Sequence, residues 1–192
     1  MSNHRVRRHQ SITRSHQQSW GITGIVIHWL SAVLVLGLFA LGLWMTSLDY
    51  YDPWYKQGPQ IHKGFGVVLF ALLAGRLLWR LAHQSPPPIA SHAPWERHLA
   101  QVVHLLLYLL LLIVMLSGYL ISTADGRDLE VFGWFGIPAL PLGIEHQEDI
   151  AGAVHYYLAC TLIATVALHI AGALKHHFVD RDETLLRMIH RR

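Results

Sequence analysis

The chain has 192 residues, of which 53% are hydrophobic and only 14% charged, too apolar and too weakly charged for an ordinary soluble domain. Its single cysteine, Cys160, excludes a disulfide within the chain, and the lack of any C-x-x-C-H stretch excludes covalent attachment of a c-type haem. The net charge of +3 is too sided to suggest nucleic acid and is better explained by membrane topology.

Residues 1–20 form a basic polar arm with no short apolar run and small-residue cleavage site after it, so the first apolar block is expected to stay as an anchor. Spans are expected at about 23–46, 61–82, 99–123 and 150–174, each near the ~20 apolar residues that a bilayer requires. The first connection, SLDYYDPWYKQGPQ, carries interfacial Trp and Tyr. The second, HQSPPPIASHAPWER, has three consecutive prolines that no helix can cross. The third, residues 124–149, contains ADGRDLEVFGWF and IPALPLG, which read as turns and interfacial aromatics. A basic tail at 179–192 is expected to form a short surface helix. The fold class is therefore all-α: an integral membrane four-helix bundle over 21–178, flanked by the arm and the tail.

Twelve of the fifteen Lys and Arg residues fall in the arm, around the second connection and in the tail; Lys56, Lys63 and Arg127 fall on the other side. Both termini are therefore expected on the cytoplasmic side of the membrane.

The fourth span, IAGAVHYYLACTLIATVALHIAGAL, has no Lys, Arg, Asp or Glu but carries His155 and His169, fourteen residues apart. At 3.6 residues per turn, fourteen residues bring both imidazoles to one face, roughly 21 Å apart along the axis. An imidazole facing lipid is costly, so both face the interior. His28 lies near the inner end of the first span and His62 near the outer end of the second. Depth then pairs His62 with His155 and His28 with His169, as the axial ligands of two haems stacked across the membrane. Zinc is the rival metal, but its ligands would gather at one depth.

Arg76, fourteen residues after His62, shares that face at the inner depth, where a haem propionate would partner it. Arg80 reads as a snorkelling interfacial residue or a second propionate partner. Lys63 reads as either an outer propionate partner or an interfacial anchor. Gly42 and Gly118 lie fourteen residues after His28 and His104, where, like Gly66, they are expected to let a flat macrocycle approach the backbone. His104, with Tyr108 one turn on, is expected to be structural or to sit beside a haem edge or quinone pocket. His176 and His177 read as solvated tail residues, with an inner quinone site as the other reading. Met45, Met115 and Cys160 are expected to pack, and Trp44, Trp54, Tyr55 and Trp134 to form an interfacial belt.

These residues carry a family resemblance. IHWLSA around His28, HKGFG from His62, RLLWR with Arg76 and Arg80, HLLLYLLL from His104 and the His155/His169 pair resemble the bacterial cytochrome b561 family. FALGLWM, SGYLISTADGR and KHHFVDRDETLLRM resemble one branch of it. The resemblance implies four spans, two haem b groups held by the histidines matching His28, His62, His155 and His169, and haem-dependent oxidoreductase chemistry between the outer face and the quinone pool, with ubiquinone as acceptor. One relative oxidises superoxide, and Lys56, Lys63 and Arg127 could attract that anion against eight nearby carboxylates. Similar di-haem subunits anchor dehydrogenases or hydrogenases and relay their electrons to quinone, which is the alternative function. A periplasmic lipocalin-like protein and a homodimer are the further partners considered; nucleic acid is not expected.

Overall fold

The structure, a computed structural model, describes residues 20–83, 86, 87, 89, 91–140 and 142–189. The expected arm, Trp20 apart, and residues 190–192 of the tail lie outside them. Four helices dominate: α1 (Ile22–Met45), α2 (Gln57–Ala82), α3 (Pro94–Ser122) and α4 (Gln147–Phe178). Each is long and apolar enough to cross a membrane. Exposed Val33, Leu78 and Leu105 cover their outward faces, an arrangement costly in water and neutral against lipid tails.

The helices outrun the apolar pattern. α2 begins at Gln57 and α3 at Pro94, four and five residues before the expected starts at 61 and 99. Helices of 24–32 residues are ~36–48 Å long, whereas the hydrocarbon layer is ~30 Å thick, so polar first turns stand among headgroups. Pro94 suits a first turn, where its missing N–H would have had no helical partner. The Glu96 carboxylate accepts the Ala93 N–H at 2.9 Å.

The bundle is two helical hairpins, α1 packed on α2 and α3 packed closely on α4. The hairpins meet along α2 and α3, while α1 touches α4 only slightly and the α2 and α4 backbones scarcely approach one another. At mid-depth one buried residue from each helix, Val35, Leu69, Leu110 and Leu162, closes the seam, with Met115 packed against them. Val35 lies seven residues after His28, Leu69 seven after His62, and Leu162 midway between His155 and His169. Seven residues is close to two turns, so this apolar layer lies on the histidine faces, halfway between two histidine layers.

The third connection is more ordered than its turn residues suggest. Strands β1 (Leu129–Val131) and β2 (Phe135–Ile137) pair antiparallel, Leu129 opposite Ile137 and Val131 opposite Phe135. Leu129 and Val131 are buried, and β1 packs on α2. At the tip, Phe132 adopts φ 52° and Gly133 φ 71°. The Phe132 ring rests on Gly64, where a Cβ would lie 2.5 Å from it, and meets Phe65 edge-on at 5.3 Å. Trp134 points outward, 82% exposed, as expected of an interfacial aromatic.

The tail does not form the expected surface α-helix among its described residues. It makes one 3₁₀ turn, Leu186–Met188, and folds back on the inner face. The Trp29 indole donates to the Met188 carbonyl at 2.7 Å, and the Arg187 guanidinium to Pro87 at 2.9 Å. Burial raises the Asp182 carboxyl, but hydrogen bonds from Thr184 and the nearby His92 and His176 lower it further, to about 2.

Candidate functional site

The two expected histidine pairs meet across the seam between the helical hairpins. The His28 and His169 ring centres are 6.2 Å apart with planes at 72°; those of His62 and His155 are 6.1 Å apart at 70°. α1 and α2 each supply one imidazole and α4 supplies the partner of both. Metal–imidazole bonds of about 2.0–2.1 Å would put the centres of two trans imidazole rings about 6.3 Å apart, so each pair is spaced for one iron between its rings.

Neighbouring groups orient His155 of the outer pair. The His155 Nδ1–H donates to the Val114 carbonyl at 2.9 Å, which leaves the Nε2 lone pair free to bind a metal. Ser117 lies 3.2 Å from the same nitrogen and donates its hydroxyl to Val114 at 2.8 Å. Sequence reasoning missed Val114, because a backbone carbonyl carries no residue-type signal. It also missed Ser117, whose one cue was a hydroxyl beside Gly118 in an apolar run. Among the described residues His62 Nδ1 is buried with no hydrogen-bond partner.

Gly42 and Gly118 face the outer imidazoles. A Cβ at Gly42 would lie 3.3 Å from His62 Cε1, and one at Gly118 3.1 Å from His155 Cε1. These glycines make room for the outer imidazoles themselves. Gly66 meets no atom from beyond its own turn of helix within 4 Å of its Cβ position among the described residues.

At the inner pair, the Arg76 guanidinium lies 3.1 Å from His28 Nδ1 and 5.7 Å from the centre of the Tyr108 ring. Arg80 approaches the same ring at 6.0 Å. His104 meets His169 edge-on at 5.2 Å, which places it beside the inner pair. Lys63, next to His62, makes no ion pair or hydrogen bond among the described residues, while Arg127 is tied to Asp125 at 2.6 Å. The reading of His176 and His177 as solvated tail residues is corrected: both lie in the last turn of α4, half-buried, and His176 stacks on His92 at 4.2 Å. Met45 packs against Gly58, and Trp44 against Trp54 at 6.1 Å.

The residues present fit haem. Each pair offers two half-buried imidazoles at the spacing of an iron bridge, in a seam where α1 and α2 leave α4 largely uncontacted. His62 Nδ1 is a buried polar atom still without a partner, and Arg76 adds a cation at the inner level.

The family model for prokaryotic cytochrome b561 matches residues 19–191. The chain is 48% identical to cytochrome b561 homolog 2 of Escherichia coli K12, over 90% of this chain and 92% of that protein. It is 32% identical to the probable superoxide oxidase CybB of Yersinia pestis, over 86% and 92%, and 25% identical to cytochrome b561 homolog 1 of Escherichia coli K12, over 88% and 96%. The chain belongs to the prokaryotic cytochrome b561 family, haem b proteins of membrane electron transport.

Proposed function

We propose that this chain is a di-haem carrier of the bacterial inner membrane that moves electrons between a donor on the outer side and the quinone pool. His62 and His155 hold the outer haem b, and His28 and His169 the inner one. The observation that carries this reading is the pair of near-equal imidazole separations, 6.2 and 6.1 Å, about two turns either side of a shared apolar layer. When bound, each haem iron supplies a site that takes up and gives back one electron.

The chain's own residues fix the setting. The Val114 carbonyl keeps the proton of His155 on Nδ1, so that Nε2 is the nitrogen that would hold the metal. A guanidinium only donates, so its contact with His28 Nδ1 requires that nitrogen to accept. For His28 to bind a metal through Nε2 it would carry its proton on Nδ1, and Arg76 would then be available to a propionate carboxylate. The charge count favours cytoplasmic termini. Superoxide, one electron per anion, is the candidate donor. Its support is Lys63 beside His62, which makes no ion pair among the described residues, and the name of the 32% identical relative.

Visible spectroscopy and haem quantitation on four single variants test this reading. Wild type should hold two haems per chain. His28→Ala or His169→Ala should lose the inner one, and His62→Ala or His155→Ala the outer one. Two haems retained in any of the four would overturn the assignment.

A further inference from the structure

We propose that His92, His176 and Asp182 form a second, non-haem metal site on the inner face, suited to zinc or a similar divalent ion. The three come from separate parts of the chain: His92 from just before α3, His176 from the last turn of α4 and Asp182 from the tail. Asp182 Oδ2 lies 2.7 Å from His92 Nε2 and 3.1 Å from His176 Nδ1. Its other oxygen is engaged, accepting the Thr184 N–H at 2.8 Å, which fixes the carboxylate so that Oδ2 faces both imidazoles. The side chains of His92, His176 and Asp182 are only 16%, 14% and 8% exposed.

One contact is unlike an ordinary polar latch. His176 Nδ1 has oxygens of Asp180 and Asp182 at 2.8 and 3.1 Å, yet it is buried without a hydrogen bond. The oxygens lie close to the nitrogen but off the line of an N–H. His92 Nε2 is hydrogen-bonded to Asp182 Oδ2 at 2.7 Å and has the Thr184 hydroxyl at 3.3 Å, whereas the His176 nitrogen, beside two carboxylates, is left for a cation to draw in. Two of the nearby carboxylates are already paired, Lys175 bonding Glu96 and, at 2.7 Å, Asp180, while Asp182 turns its Oδ2 to the two imidazoles.

The donor set selects the metal. Two imidazole nitrogens and one carboxylate oxygen suit zinc and its first-row neighbours, whereas calcium and magnesium prefer all-oxygen shells. Asp180 or water completes a fourth position. The His92 and His176 rings lie 29° from parallel, and an ion must lie near the plane of each, so the rings fan apart on binding. Donor separations then open to about 3.3 Å, as bonds of about 2.0–2.1 Å in a tetrahedral shell require. Bound metal would fasten the tail to the second connection at the inner end of the bundle. None of these residues belongs to the two histidine pairs, so this inference stands apart from the haem reading.

The test uses the haem-loaded full chain without a polyhistidine tag. His4, His9 and His16 are changed to Ala so that the arm's own imidazoles do not compete. The stripped protein is titrated with Zn²⁺ by calorimetry, with metal and haem counted on the same samples. We expect one zinc per chain at sub-micromolar affinity. His92→Ala, His176→Ala and Asp182→Asn should each lose more than the roughly 10–100-fold typical of removing a second-shell partner, with haem content unchanged. X-ray absorption at the zinc edge should show two imidazoles in an N/O shell, a readout that needs no variant. Failure to bind micromolar zinc, unchanged affinity in the three variants, or a zinc shell without two imidazoles would overturn the proposal. Protonation of the two histidines would then be what balances the cluster.

Discussion

Gly118 on α3 and His155 on α4 are packed so that one added carbon is too many: a Cβ at Gly118 would lie 3.1 Å from the imidazole Cε1. The ring has little freedom to yield, because Val114 holds its Nδ1 at 2.9 Å. Gly118→Val should therefore tilt His155 away from its partner and lose the outer haem while keeping the inner one. Haem per chain should fall from two toward one. Gly42→Val, pressing on His62 from α1, should do the same at the same level.

The inner pair predicts an electrostatic effect. The Arg76 guanidinium near His28 favours the less positive, reduced state of a redox centre there. Arg76→Gln should lower the midpoint potential of the inner haem by roughly 60 mV, about a factor of ten in a one-electron equilibrium. The outer potential should stay in place. His104→Leu should leave two haems bound, since His104 stands at 5.2 Å beside His169 while His28 supplies the facing ring. Redox titration with haem counting checks both.

The ring planes predict a spectroscopic signature. Both pairs are far from coplanar, at 72° and 70°. Ferric irons between imidazoles so disposed should give strongly anisotropic low-spin EPR signals with a large g-max, in place of the rhombic pattern of parallel imidazoles. A rhombic spectrum for either haem would mean that its rings turn on binding.

The outer hairpin predicts a local loss of order. Gly64→Ala would put a Cβ 2.5 Å from the Phe132 ring, which is held by a backbone already at φ 52°. The ring cannot stay, and with it goes the anchor between the hairpin and α2. Amide exchange across 129–137 should accelerate, while the four helices keep their protection.

The spans and the two pairs were legible in the sequence because membrane helices obey two simple rules. About twenty apolar residues make a crossing, and fourteen residues return to the same face. Those rules set depth and azimuth, which suffices to match His28 with His169 and His62 with His155. They do not say whose side chain lies opposite. Gly42 and Gly118 share the outer level with His62 and His155, and their contact with those rings was not legible. Hydropathy also stops where headgroups begin, so the first turns of α2 and α3 carried no signal. The stacking of His176 on His92 and the seating of Phe132 on Gly64 join segments more than sixty residues apart, and no local pattern encodes either contact.

The layer of Val35, Leu69, Leu110 and Leu162 has an electrical consequence. Closely packed aliphatic side chains are no path for hydrated ions or protons, so in the proposed carrier only electrons cross it, by tunnelling. The histidine levels are ~21 Å apart in a hydrocarbon layer of ~30 Å. An electron moving inward toward the negative side would then do work of about 1.6 kcal/mol per 100 mV of membrane voltage. Turnover in energised vesicles should slow as the voltage rises and recover when an ionophore collapses it.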